Sequence, residues 1–229
     1  MKKMRKIDPE KQLFKMAWGV DRAGYELIEK NIPKGLSLRQ GLVDMKYQHF
    51  NKLVARSGKY EGYDPLLKIG LIRRFANITI RRGKLDLKDA QNFAKKYGLL
   101  GIGGTYGEES ENVDEWVDII LRFRDIINQI DQGNKEEAWY IYNGSDLKAP
   151  VNFRLSNIKK PLAASFQVVP VTLLGAMYIM LASEIVKGAQ SQQCSKGGCL
   201  EWFPIRSNQH YCSNACRQAA YRENLEVNG

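Results

Sequence analysis

An α+β fold, mainly α with a small β-sheet, is predicted by three features of the 229-residue sequence. Apolar residues recur at three- and four-residue spacing through most of the first 130 residues. Short alternating segments gather near 139–169. An almost wholly apolar run, VTLLGAMYIMLASEI, begins at Val171 and needs a core to bury it. Hydrophobic residues make up 44% of the chain, enough for such a core.

Residues 10–30 and 37–57 read as helices separated by Gly, Pro and Asn. PLLKIGLIRRFANITI at 65–80 and DLKDAQNFAKKY at 86–97 predict two more, the second capped by Gly98. The next segment, GLLGIGGTYGEE, is glycine-rich. It has no Gly-Lys-Ser/Thr and follows a helix rather than a strand, so it reads as a flexible loop and not a phosphate cradle. Ser110–Asp131 is the clearest amphipathic helix. Val113, Trp116, Val117, Ile120, Phe123, Ile127 and Ile130 form its apolar stripe. Glu108, Glu109, Glu111, Asp114 and Glu115 crowd its first turns, where the helix dipole favours negative charge. Trp139–Tyr142, Val151–Leu155 and Ala164–Val169 predict strands. Pro170 suits the first turn of a helix that runs to about Lys187 and ends at Gly188. Pro161–Ser183 carries no charge, but Pro170 interrupts it, so a buried core helix is expected rather than a membrane span. The start, MKKMRKIDPEKQLF, lacks the apolar run of a secretory signal, and a cytoplasmic protein is expected.

Charge is unevenly spread. The net charge is +10, yet residues 1–104 hold 23 basic and 10 acidic residues, a net of +13. Residues 105–190 come to −4 and residues 191–229 to +1. A basic first half favours a polyanion partner, the alternative being a solubilising lysine-rich surface.

All four cysteines lie between Cys194 and Cys216, spaced Cys-x4-Cys-x12-Cys-x3-Cys. Two short-spaced pairs separated by a dozen residues are what one tetrahedral ion requires, and zinc is the expected metal, held by Cys194, Cys199, Cys212 and Cys216. Gly197 and Gly198 permit the first tight bend, while Ser213 can cap a helix that presents Cys212 and Cys216 on one face. Disulfides would suit a secreted chain, and a redox Cys-x-x-Cys is missing. His210 becomes a ligand only if a cysteine is displaced. The organisation expected is a mostly helical domain over 1–190, with its small sheet near 139–169, and a finger over 191–229. LEWFPIRSNQHY, between the cysteine pairs, reads as a hairpin whose Trp202, Phe203 and Tyr211 pack over the metal and dock the finger.

On the helix after Cys212, Cys216, Ala219, Ala220 and Glu223 share the metal side. Asn214, Arg217, Gln218 and Tyr221 share the other, with Arg222 on its flank. Amides, arginines and an aromatic are what base-edge or phosphate contacts use. Together with Arg206 they form the expected nucleic-acid contacts of the finger. Arg73, Arg74, Arg81, Arg82 and Lys84 are the densest phosphate-binding cluster of the basic half.

Trp202-Phe203, Arg206 and YCSNACRQAAYR resemble the bacterial treble-clef zinc fingers that end in "CS..CR..AYR", and through them the CGNR-type zinc-finger family. The second cysteine pair is one residue closer than is usual there, and Arg-Gln-Ala replaces Gly-Asn-Arg after Cys216. The resemblance covers Cys194–Arg222 and implies a transcriptional regulator with a helical domain ahead of its finger. No nucleophile–base pair or open metal position is visible, so no enzyme is expected. The function expected is thus DNA binding in transcription regulation. The alternative is a protein-interaction or assembly module whose zinc is purely structural.

Overall fold

The computed structural model describes residues 18–31, 49–57, 59–102, 110–144, 151–156, 165–206 and 208–228. Its class is the α+β one expected, with helices on small antiparallel sheets.

The first half departs from the helical reading. Within 10–30 and 37–57 the described residues form strands: β1 (Trp18–Asp21), β2 (Tyr25–Asn31) and β3 (His49–Ala55). β1 pairs with β4 (Tyr60–Tyr63), and β3 lies between β2 and β7 (Ser110–Asn112). Tyr25 and Leu27, two apart, face Ala55 and Leu53 across the β2–β3 register. Period-two packing thus outweighs the helix-forming Glu, Leu and Lys of YELIEKN, as tertiary context overrides local propensity.

After a 3₁₀ turn at Pro65–Leu67 the chain forms α1 (Leu71–Ala76), which stops short of the expected helix at 65–80. Ile80–Arg81 (β5) and Lys84–Leu85 (β6) instead make a hairpin, followed by α2 (Leu87–Tyr97). Asp86 caps α2 by accepting from Lys88 N and Asp89 N, and Gly98 ends it with φ 87°. Of the segment read as a flexible loop, residues 103–109 lie outside the described residues. The part before them is pinned rather than flexible. Leu99 and Leu100 are buried, and the Glu111 carboxylate accepts from Leu100 N and Ile102 N, both at 2.6 Å. Glu111 therefore belongs to β7 and secures this loop rather than a helix dipole.

α3 (Trp116–Asp131) starts later than the predicted Ser110, after a 3₁₀ turn that buries Val113. It buries Trp116, Ile120, Phe123, Ile127 and Ile130 of the predicted stripe and leaves Val117 half-buried. It adds Ile119 and Ile126, because α1, α4 (Lys135–Asn143) and α5 (Leu173–Lys187) all pack on it. α4 replaces the strand expected at Trp139–Tyr142. Glu136 and Glu137 sit in its first turn, Ala138 is buried, and Trp139 stacks on Tyr142 at 6.1 Å, the i,i+3 spacing of a helix. β8 (Val151–Ser156) and β9 (Ser165–Pro170) pair as expected. Pro170 ends β9, and Thr172 rather than Pro170 opens α5 by accepting from Gly175 N. Gly188 ends α5 as foreseen.

A chain of aromatic contacts ties these helices together. Phe75 of α1 meets Phe93 of α2 at 5.3 Å and Phe123 of α3 at 5.5 Å, and Phe123 meets Tyr178 of α5 at 5.1 Å. Among the described residues no helix is long and apolar enough to cross a membrane.

Candidate metal centre

The last sixth of the chain builds a compact site. β10 (Ser191–Gln193) pairs with β11 (Trp202–Pro204), and α6 (Asn214–Asn228) follows. The hairpin predicted between the cysteine pairs is thus shifted. Its first strand precedes Cys194, so the two strands enclose the first knuckle. Cys194 N donates to Glu201 O at 2.9 Å across the hairpin, and Cys199 N to Lys196 O at 3.1 Å. Gly198, at φ 75°, makes the bend that returns Cys199 toward Cys194. The second pair starts α6. Ser213 Oγ accepts from Cys216 N at 3.2 Å, the expected cap.

The four sulfurs converge from these two structures and lie within 4.8 Å of one another. Cys199–Cys212 and Cys199–Cys216 are 3.8 Å apart, and Cys212–Cys216 are 3.4 Å. A tetrahedron of Zn–S bonds of ~2.3 Å has edges of about 3.8 Å, so the four thiols are positioned to hold one ion with a geometry that fits zinc. Burial pushes the Cys194 thiol up, but hydrogen bonds from the backbone of Cys212 and Lys196 and from neighbouring thiols bring it down to about 7. Hydrogen bonding to Cys216, then burial, push Cys212 up to about 12. Adjacent thiols cannot all ionise without a positive charge among them. His210 is exposed. It serves the site through its backbone oxygen, which accepts from Ser195 N at 2.9 Å.

The site is latched to the helical region by β11. Trp202 lies over the Arg73 guanidinium, 5.3 Å from its ring centroid, and Arg74 pairs with Glu201 at 2.7 Å. Phe203 is buried, and Trp202 docks the site as expected. Gly70, at φ 71°, opens α1 where Trp202 enters, and a Cβ there would sit 2.3 Å from Trp202 Cβ. Gly70→Ala therefore meets both left-handed strain of about 1–2 kcal/mol and a side-chain collision. It should lower the thermal midpoint by several degrees, with Trp202 fluorescence reporting a displaced ring.

The expected nucleic-acid residues separate into two groups. Asn214, Arg217, Gln218, Tyr221 and Arg222 are exposed on α6, and all but Asn214 line one shallow groove. Arg206 is exposed beyond β11, and Arg81, Arg82 and Lys84 are exposed on the β5–β6 hairpin. Arg73 is a correction. It is 4% exposed and donates to Asp131 at 2.7 Å and to Glu184 at 2.9 Å, so its guanidinium is committed to the interior. Arg74, half-buried and paired with Glu201, is likewise engaged at the finger's docking surface. The sequence reading missed this buried hub. Its signal is Glu184, the single acid in a helix that is apolar but for Ser183 and Lys187 near its end.

No protein-family model and no curated protein matches the chain.

Proposed function

We propose that the protein is a zinc-containing DNA-binding protein with a regulatory role, its thiols kept free as ligands in the reducing cytoplasm. The observation that carries this reading is the two-sided helix α6. Its inner face carries Cys216 and the buried Ala220, while Arg217, Gln218, Tyr221 and Arg222 stand together on solvent. Four cysteines fill a tetrahedral ion with protein ligands, an arrangement suited to structure rather than to activating water. The metal then fixes α6 rigidly, and its outer face offers bidentate and stacking groups for base edges. The resemblance to CGNR-type regulators supports the same reading.

The test is a gel shift of the metal-loaded protein on random and genomic DNA at two salt concentrations. Affinity should fall steeply with salt. Arg217→Ala should shrink the gap between preferred and random sequences by about 1–3 kcal/mol if it makes a bidentate base contact. A wild-type protein that shows no DNA binding at low salt would end this reading. The second reading, an assembly module, is favoured by Trp139, Tyr140 and Val186, large apolar side chains exposed on α4 and at the end of α5. It predicts retention of a protein partner without retention of DNA.

A further inference from the structure

The β5–β6 hairpin carries an arrangement that its fold does not require. Pleat alternation turns the register pair Ile80 and Leu85 toward the core, where Leu85 is buried and Ile80 half-buried. The next pair, Arg81 and Lys84, therefore faces solvent, and both are exposed. Arg82 and Gly83 close the turn, both at positive φ, 52° and 74°. A right-twisted hairpin favours that turn, but Asn-Gly or Gly-Gly is the low-strain choice for it. Nothing lies within 4 Å of a Cβ placed at Gly83, so the tip stands in open space.

The hairpin is held rigidly from below. Asp86 N donates to Thr79 O at 2.8 Å, and Asp89 accepts from Thr79 N at 3.3 Å. From α3, Arg124 donates to the backbone oxygens of Ala76 and Ile78. The neighbouring acids are thus spent on backbone groups, Asp86 as the cap of α2 and Asp89 on Thr79. Among the described residues no acidic side chain forms an ion pair with Arg81, Arg82 or Lys84.

Two costs meet at this tip. A bulky L-residue sits in the left-handed region, and two like charges stand directly opposite across the strands. No contact among the described residues offsets either one. Strain that packing does not demand accumulates where a ligand is bound. We infer that the hairpin tip is a preformed binding site for a nucleic-acid phosphodiester backbone. Arg82 leads at the apex, Arg81 and Lys84 flank it, and Gly83 lets the backbone approach closely. Polynucleotides carry closely spaced negative charges, and an unpaired cation triad on a rigid ribbon matches them without ordering a loop. This inference rests on the nucleic-acid reading above. It assigns the main phosphate contact to the helical region rather than to the finger.

The test uses the full metal-loaded chain and fluorescence anisotropy over a salt series. The probes are a labelled random-sequence DNA duplex and a single-stranded RNA of equal length. Arg82→Asn keeps the turn and tolerates positive φ, so its thermal midpoint should equal or exceed that of the wild type. Its duplex affinity should fall several-fold, and its log-log salt slope should flatten by about 0.9. Arg81→Gln with Lys84→Gln should flatten the slope by about 1.8. If Arg217→Ala weakens DNA binding while the hairpin variants match wild type, the hairpin assignment is wrong and the DNA reading stands. If only RNA binds, and does so through the hairpin, the assignment stands and the DNA-regulator reading falls. Binding of neither probe at low salt overturns both.

Discussion

Arg73→Met should lower the unfolding free energy of the metal-loaded protein by about 3–5 kcal/mol, the range for removing one partner of a buried ion pair. The cost centres on Glu184. Its side chain is 7% exposed, whereas that of Asp131 is 46% exposed and can turn to water. Burial already pushes the Glu184 carboxyl above its usual range, and the Arg73 charge and hydrogen bond only partly offset this. Burial also works against the Arg73 charge, but its bonds to Asp131 and Glu184 win and hold its pKa above the ordinary arginine value. Without the guanidinium, Glu184 faces the apolar interior alone. Its folded pKa then rises further above its unfolded value, so the folded state binds the extra proton. Stability must fall as pH rises through that interval. The deficit of Arg73→Met should therefore be larger near pH 8 than near pH 5. Adding Glu184→Met should restore most of the loss, because an apolar pair of similar volume carries no desolvation penalty. Urea titrations of the three proteins at both pH values decide the matter. A single-variant loss under 1 kcal/mol, unchanged by pH, would show that the hub is not buried in solution.

The elements legible in the sequence are those whose signal is local. α2, α3 and α5 have caps or continuous apolar faces, and their placement follows from Gly98, the Trp116–Ile130 stripe and Gly188. The four-cysteine cluster was equally legible, because ligand spacing is a local constraint that a single ion imposes. β2 and β3 were not. Their pairing brings Leu27 to Leu53, and no local pattern announces a partner 26 residues away. The aromatic run of α4 suggested a strand by composition, although Trp139 and Tyr142 stack at helical spacing. Charge counting placed Arg73 with Arg81, Arg82 and Lys84. Only the fold shows that one is an interior counter-ion while the others stand on a hairpin. Density of charge along a chain says nothing about which side of a helix faces the core.

Removing the metal should unfold the finger and leave the helical region folded. The segment from β10 to α6 buries little beyond Cys194, Phe203, Ala220 and Ser191, so the ion supplies most of its stability. Apparent zinc-binding energies of about 10–16 kcal/mol in finger peptides exceed what four such residues provide. The helical region loses less. Trp202 leaves the Arg73 guanidinium, a stacking contact of about 0.5–2 kcal/mol, and the Arg74–Glu201 pair is partly exposed and contributes little. Arg73 keeps Asp131 and Glu184, and the Phe75–Phe93–Phe123–Tyr178 contacts involve no finger residue. A strong chelator should thus reduce the far-ultraviolet helical signal only by the share of α6. Trypsin should then cut after Lys196, Arg206 and Arg217, leaving a helical fragment that ends at Lys196, while Trp202 fluorescence shifts toward that of a hydrated indole. Cys212→Ser should reproduce this state without chelator, and elemental analysis should find one zinc per wild-type chain. Loss of the whole helical signal on chelation would mean instead that the Trp202 latch is integral to the core. A chain with no bound metal and an unchanged digestion pattern would rule out the cluster as a metal centre.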